Sequence, residues 1–195
     1  AAATASNANS VVIGQSAGRY AQSGAANTAI GLRSGQYVKG SYNIAMGSNA
    51  GSGNATEVLE ANNTVAIGSS AKASANNSVA IGIGSNAQAE QTVAFGPYAT
   101  ASGKFSTAIG LQARALGDNT IATGNHAAAV GTQQISIGIN AGNSTGSNTS
   151  PAKAADYGVF IGRYAGSDAA GATGNTSGVA IGMEAGRYGQ GGSRN

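Results

Sequence analysis

Between Asn63 and Gly138 the chain repeats one apolar string closed by glycine. The copies are Thr64-Val65-Ala66-Ile67-Gly68, Ser78-Val79-Ala80-Ile81-Gly82, Thr92-Val93-Ala94-Phe95-Gly96, Thr107-Ala108-Ile109-Gly110, Ile121-Ala122-Thr123-Gly124 and Ile135-Ser136-Ile137-Gly138. The glycines stand at 68, 82, 96, 110, 124 and 138, one every 14 residues. A period this regular marks one structural unit stacked on itself. The residue three before each glycine is mostly Val, Ile or Thr, and the residue one before is mostly Ile. Side chains alternate along a strand, so these two positions share a face. The small residue between them, Ala66, Ala80, Ala94, Ala108, Ala122 or Ser136, points the other way.

A second alternation follows each glycine: Ala71 and Ala73, Ala99 and Ala101, Ala113 and Ala115, Ala127 and Ala129. Gly103, Gly117 and Gly131 mark a second turn, where a positive φ would suit glycine. Each 14-residue coil is therefore two short strands and two turns, and neighbouring coils pair as parallel strands about 4.8 Å apart. The Val/Ile face of the first strand is expected to pack on the Ala face of the second. The fold class is all-β, a parallel β-roll of about 14-residue coils. Eleven units can be counted, which predicts a rod on the order of 50 Å long.

Outside this stretch the spacing lengthens. Units closing at Gly14, Gly31, Gly47, Gly162 and Gly182 are separated by extra residues. The longest insertions run from Ser48 to Asn62 and from Ile139 to Gly158. The first contains the one helix-like string, Thr56-Glu57-Val58-Leu59-Glu60-Ala61; the second is rich in Asn, Ser, Thr and Gly, which is loop chemistry. Such insertions are where a specific binding surface could differ between relatives.

Composition sharpens this picture. Among 195 residues there are 32 Gly and no Cys, and only 9% are charged. A Leu/Phe core of the usual kind is excluded, and the interior must be thin. The strand face carrying Ala66, Ala80, Ala94, Ala108, Ala122 and Ser136 would be wasted in a monomer, so a homo-oligomer, inferred to be threefold, is expected to bury it. Without Cys there is no disulfide and no thiolate metal site. The net charge of +3 is spread along the chain and does not form a nucleic-acid footprint. The apolar runs are far too short to span a membrane. The start, Ala1-Ala2-Ala3-Thr4-Ala5-Ser6, lacks the charged and apolar regions of a signal peptide.

Catalysis finds no foothold. His126 is the one histidine, no Ser/His/Asp set can be built around it, and the seven acids are scattered. Gly82-Ile83-Gly84 lacks the third glycine of a dinucleotide fingerprint, and no calcium-binding Gly/Asp nonapeptide is present. The expectation is a non-enzyme with no cofactor and no metal. The amides five before the glycine (Asn9, Asn63, Asn77, Gln91, Asn119, Gln133) are read as a ladder bonded from coil to coil, and the Ser/Thr column beside them as structural too. Arg19-Tyr20, Tyr37, Arg163-Tyr164 and Arg187-Tyr188 form the candidate interaction surface, because Arg and Tyr are favoured in such surfaces.

Asn77-Ser78-Val79-Ala80-Ile81-Gly82-Ile83-Gly84-Ser85 resembles the N-S-V-A-I-G-x-x-S head repeat of YadA-like trimeric autotransporter adhesins. Asn63 to Ser70 is nearly the same, and Asn9 to Ser16 differs in Val12. The resemblance implies a left-handed parallel β-roll in a homotrimer, carried on a coiled-coil stalk and displayed at the bacterial cell surface from the outer membrane. It implies attachment to host extracellular matrix, collagen-like or otherwise fibrous, or to host cells. It also implies ligand contact by Asn77, Ser78, Val79, Ala80, Ile81, Gly82 and Ser85. One repeat alone fits the collagen-associated motif at every position. No neck motif and no heptad stalk are visible, so residues 1–195 are expected to be one head domain without stalk or anchor. Similar repeats occur in phage tail fibres, which leaves a structural spacer as the alternative.

Overall fold

The structure is a computed structural model that describes residues 8–20, 24–53, 58–143, 156–167 and 178–187. The chain divides into two compact units, residues 1–98 and 99–195. All the regular elements described are strands.

The first unit contains β1 (Val11–Ile13), β2 (Thr28–Ile30), β3 (Val38–Lys39), β4 (Ile44–Met46), β5 (Leu59–Glu60), β6 (Val65–Ile67), β7 (Lys72–Ala73), β8 (Val79–Ile81), β9 (Asn86–Ala87) and β10 (Val93–Phe95). The glycine-closing strands pair in parallel in the order β1-β2-β4-β6-β8-β10, each residue facing its counterpart one repeat away: Val65 faces Val79, Ala66 faces Ala80, Ile67 faces Ile81. Strands of the second kind pair β3 with β5 and β7 with β9. The helix-like string is thus overturned where it is described: Leu59–Glu60 is a strand beside Val38–Lys39, and Lys39 meets Glu60 at 2.9 Å. Residues 56 and 57 of that string lie outside the described residues.

The second unit repeats the plan. It contains β11 (Thr100–Ala101), β12 (Thr107–Ile109), β13 (Arg114–Ala115), β14 (Ile121–Thr123), β15 (Ala128–Ala129), β16 (Ile135–Ile137), β17 (Val159–Ile161) and β18 (Val179–Ile181). The order is β12-β14-β16-β17-β18 in one sheet and β11-β13-β15 in the other. The insertion before β17 leaves the register intact, with Ser136 facing Phe160. The chain is an all-β parallel β-solenoid.

Within each unit the facing is the reverse of the expected one. Ala66, Ala80, Ala94, Ala108, Ala122 and Ser136 are buried inside their own coil, as are Ala73, Ala101, Ala115 and Ala129 of the second strands and Ala71 and Ala113 just before them. The flanking Val/Ile positions face outward, with Phe95, Ile109, Ile121 and Ile137 exposed. The reason is width. A three-residue strand and a two-residue strand joined by tight turns leave room between them for two small side chains, not for Val against Ala. Phe160 is the exception, accepted because Gly166 beside it has no side chain; a Cβ there would run into the ring. The Ala residues offered above as a trimer interface are therefore core.

The glycines are set by the same crowding. At Gly68 φ is 126°, and a Cβ would stand 2.6 Å from the carbonyl oxygen of Gly82. Gly103 and Gly117 do not have positive φ, contrary to expectation; there a Cβ would strike the backbone of the next coil. Close approach, not left-handed backbone, demands glycine at the second turn.

Candidate functional site

The first surface is apolar. In each unit the positions three and one before the glycine form two outward columns of β-branched side chains stacked along the sheet. Examples are Val65, Val79 and Val93 in the first unit and Ile109 and Ile137 in the second. β-Branched chains in register pack well on a pleated surface, which explains why the sequence spends its large apolar residues here. An apolar strip of this kind on an otherwise polar molecule marks an interaction face.

The repeat motif divides into seen and unseen residues. Ser78, Ala80 and Ser85 have no exposed surface, so they cannot touch a ligand directly. The Ser78 hydroxyl donates to the carbonyl of Ala75 at 2.6 Å and Ser85 to that of Gly82 at 2.9 Å, closing turns. Asn77 and Ile83 are exposed, and Val79, Ile81 and Gly82 are half-buried. Most of the motif is folding chemistry. The same holds for the column that includes Thr92 and Thr120, whose hydroxyls donate to the carbonyls of Ala89 and Gly117, both at 2.7 Å. In the wider coils Asn and Gln take this place. Buried Asn43 accepts from the amide N–H and hydroxyl of Thr64 and donates to Ala61; Gln134 accepts from Val130 and Gly131 at 2.9 Å each.

The amides five before the glycine are not the expected ladder. Asn9, Asn63, Asn77, Gln91, Asn119 and Gln133 are exposed and have φ of 56–58°. A left-handed residue directs its side chain out of the turn, away from the next coil's amide. The coil-to-coil side-chain ladder lies one residue earlier. Asn62 and Asn76 accept from the backbone N–H of Ser41 and Asn62 at 2.8 Å each, and Asp118 and Asp156 accept from Lys104 at 2.7 Å and Thr132 at 2.9 Å. Its mixed Asn/Asp composition hid that column; its offset of 14 in Asn62 and Asn76 was the available signal.

The Tyr/Arg residues gather into two stacks, one in each unit. In the first, the Arg19 guanidinium lies 4.6 Å from the Tyr20 ring centre, and Tyr20 stacks on Tyr37 at 4.7 Å with the planes 20° apart. In the second, Arg163 and Arg187 lie 5.0 and 4.8 Å from the Tyr164 ring, and Glu184 holds Arg187 at 3.0 Å. Tyr188 lies outside the described residues. All six described tyrosines, 20, 37, 42, 98, 157 and 164, have φ between 52° and 63°. For a residue with a Cβ that conformation costs roughly 1–2 kcal/mol, and most of these rings recover little of it by burial.

Among the described residues no three His, Cys, Asp or Glu side chains cluster to hold a metal. His126 sits in a left-handed turn position with φ 55°. Partial burial lowers the pKa of the Arg114 guanidinium through desolvation. No described helix is long and apolar enough to cross a membrane.

A parallel solenoid of this kind also occurs among known proteins. The YadA head domain repeat (2 copies) matches residues 60–85, 78–99, 87–113 and 114–133. The structure is similar to the collagen-binding domain of the Yersinia adhesin YadA, with a TM-score of 0.53 and 28% identity over 75% of this chain and 69% of that one. No curated protein sequence matches the chain. Residues 60–133 match YadA head domain repeats, and together with the structural likeness this supports a YadA-like head with an adhesin-like role.

Proposed function

We propose that residues 1–195 act as one non-enzymatic head of a homotrimeric adhesin, displayed at a bacterial surface and attaching to host extracellular matrix. The exposed Val/Ile columns carry the assembly part of this reading. They leave large apolar side chains such as Phe95, Ile109 and Ile137 exposed, and a second and third copy would bury them. Ala66, Ala80 and their equivalents support each coil from inside. The matrix part rests on likeness to a collagen-binding domain and on the repeat Asn77–Ser85. Three chains with repeated weak contacts gain avidity on a fibrous ligand, which itself repeats.

Light scattering of the chain, followed by binding to immobilised collagen, tests both parts. A mass of three chains together with saturable collagen binding is the expected result. A folded monomer refutes the assembly. A trimer that binds no matrix protein assigns the chain to the structural-spacer role seen in tail fibres.

A further inference from the structure

One edge of the first unit carries a column of exposed side chains set on left-handed backbone. Tyr42, Asn63, Asn77 and Gln91 occupy the same left-handed position of successive coils, with φ of 61°, 56°, 58° and 57°. The backbone beneath is continuous: Asn63 donates its N–H to Ser41 at 3.0 Å, Asn77 to Asn62 at 3.0 Å and Gln91 to Asn76 at 3.1 Å. Equal backbone angles in equal register aim the four side chains the same way. All four are exposed, and the three amides bond to no other residue. Tyr42 is 65% exposed, more than any other described aromatic residue.

The left-handed turn itself suits Asn and Gly, so the tyrosine is the departure: it is strained there, and at 65% exposure its ring regains little from packing. Strain held without burial points to contact with something outside the chain.

We infer that the Tyr42–Asn63–Asn77–Gln91 edge binds a linear, neutral oligosaccharide. Primary amides both donate and accept, matching hydroxyls that do the same. An exposed ring offers its face to the C–H face of a pyranose. The coil rise of about 4.8 Å is close to the length of one sugar residue in an extended chain, so one sugar meets one coil. Polyanions find no cation in this column. An extended peptide finds no free strand edge, because each of these backbone N–H groups is paired with the neighbouring coil. The inference does not require the trimer, and although Asn77 also belongs to the repeat proposed to bind collagen, Tyr42 does not, so Tyr42→Asn separates the two readings.

The test uses the full chain, with hexasaccharides of β-1,4-linked glucose, β-1,4-linked N-acetylglucosamine and repeated N-acetyllactosamine as probes. Two variants are compared with the parent. Tyr42→Asn removes the ring, and Asn63→Gly/Asn77→Gly removes two amides while suiting the left-handed backbone. At least one sugar is expected to bind, and each variant to weaken it about tenfold or more. Collagen binding should be unchanged in Tyr42→Asn, whose thermal midpoint should rise. Three results overturn the inference. None of the probes binds; a bound sugar is indifferent to both variants; or Tyr42→Asn melts lower, which makes the ring structural. Loss of collagen binding with no sugar bound assigns the edge to a polypeptide and equally overturns it.

Discussion

Gly68 and Gly82 stand so close in neighbouring coils that a methyl group on the first would lie 2.6 Å from the carbonyl oxygen of the second. Neither coil can move without breaking its parallel pairing, and the φ of 126° at Gly68 is itself disfavoured for any other residue. Gly68→Ala is expected to destabilise the fold by on the order of 3 kcal/mol or more. Ser69→Ala, one exposed residue away, should stay within about 0.5 kcal/mol. Chemical denaturation of both variants checks this.

The interior tolerates no extra volume. Ala108 is fully buried opposite the second strand's alanines, whereas Thr107 beside it faces outward. Ala108→Leu should cost about 3 kcal/mol, at the upper end of overpacking penalties, and Thr107→Val about 0.5 kcal/mol or less. Equal costs would mean that the two faces had been assigned wrongly.

Asn43 is the polar keystone of the wider coils. Its amide serves two groups of Thr64 and the carbonyl of Ala61, all of them away from water. Asn43→Ala should lose about 2–3 kcal/mol, since the stranded partners keep their desolvation cost. Thermal unfolding of the variant, with amide exchange at Thr64, reads this out.

The outward columns predict a separation of assembly from folding. Ile109→Asp and Ile137→Asp place charges on the apolar strip without touching the core. The circular dichroism spectrum should persist while the scattered mass falls to that of one chain. A variant that stays trimeric would move the interface elsewhere.

The cation–aromatic stack in the second unit should be measurable but modest. A double-mutant cycle between Arg163 and Tyr164 is expected to give about 0.5–1 kcal/mol. Replacing Tyr20 and Tyr164 by Ala should reduce attachment if these stacks touch ligand; unchanged attachment restricts them to turn support.

Much of this architecture was legible because it is periodic. The 14-residue offset of Gly68 through Gly138, the two strands per coil and the parallel register all follow from which residue types recur where. The facing of the strand did not follow. Alternation says that Val79 and Ile81 share a side opposite Ala80, and it is silent on which side is inside. Hydrophobicity pointed to Val and Ile; the narrow coil chose Ala. The amide column failed for a related reason. Asn63 and Asn77 recur because Asn tolerates φ near 57°, a backbone requirement that looks in one dimension like a side-chain ladder.

What the sequence determined, then, is the repeat: the strand, the glycine contact and the turn, each a local consequence of side-chain size and backbone preference. What only the tertiary structure decided is which atoms are left facing outward. That depends on the distance between two strands of one coil, and on which donors the next coil satisfies. Ser78 and Ser85 vanish into the roll, while Tyr42 and the three amides after it in the same column remain outside.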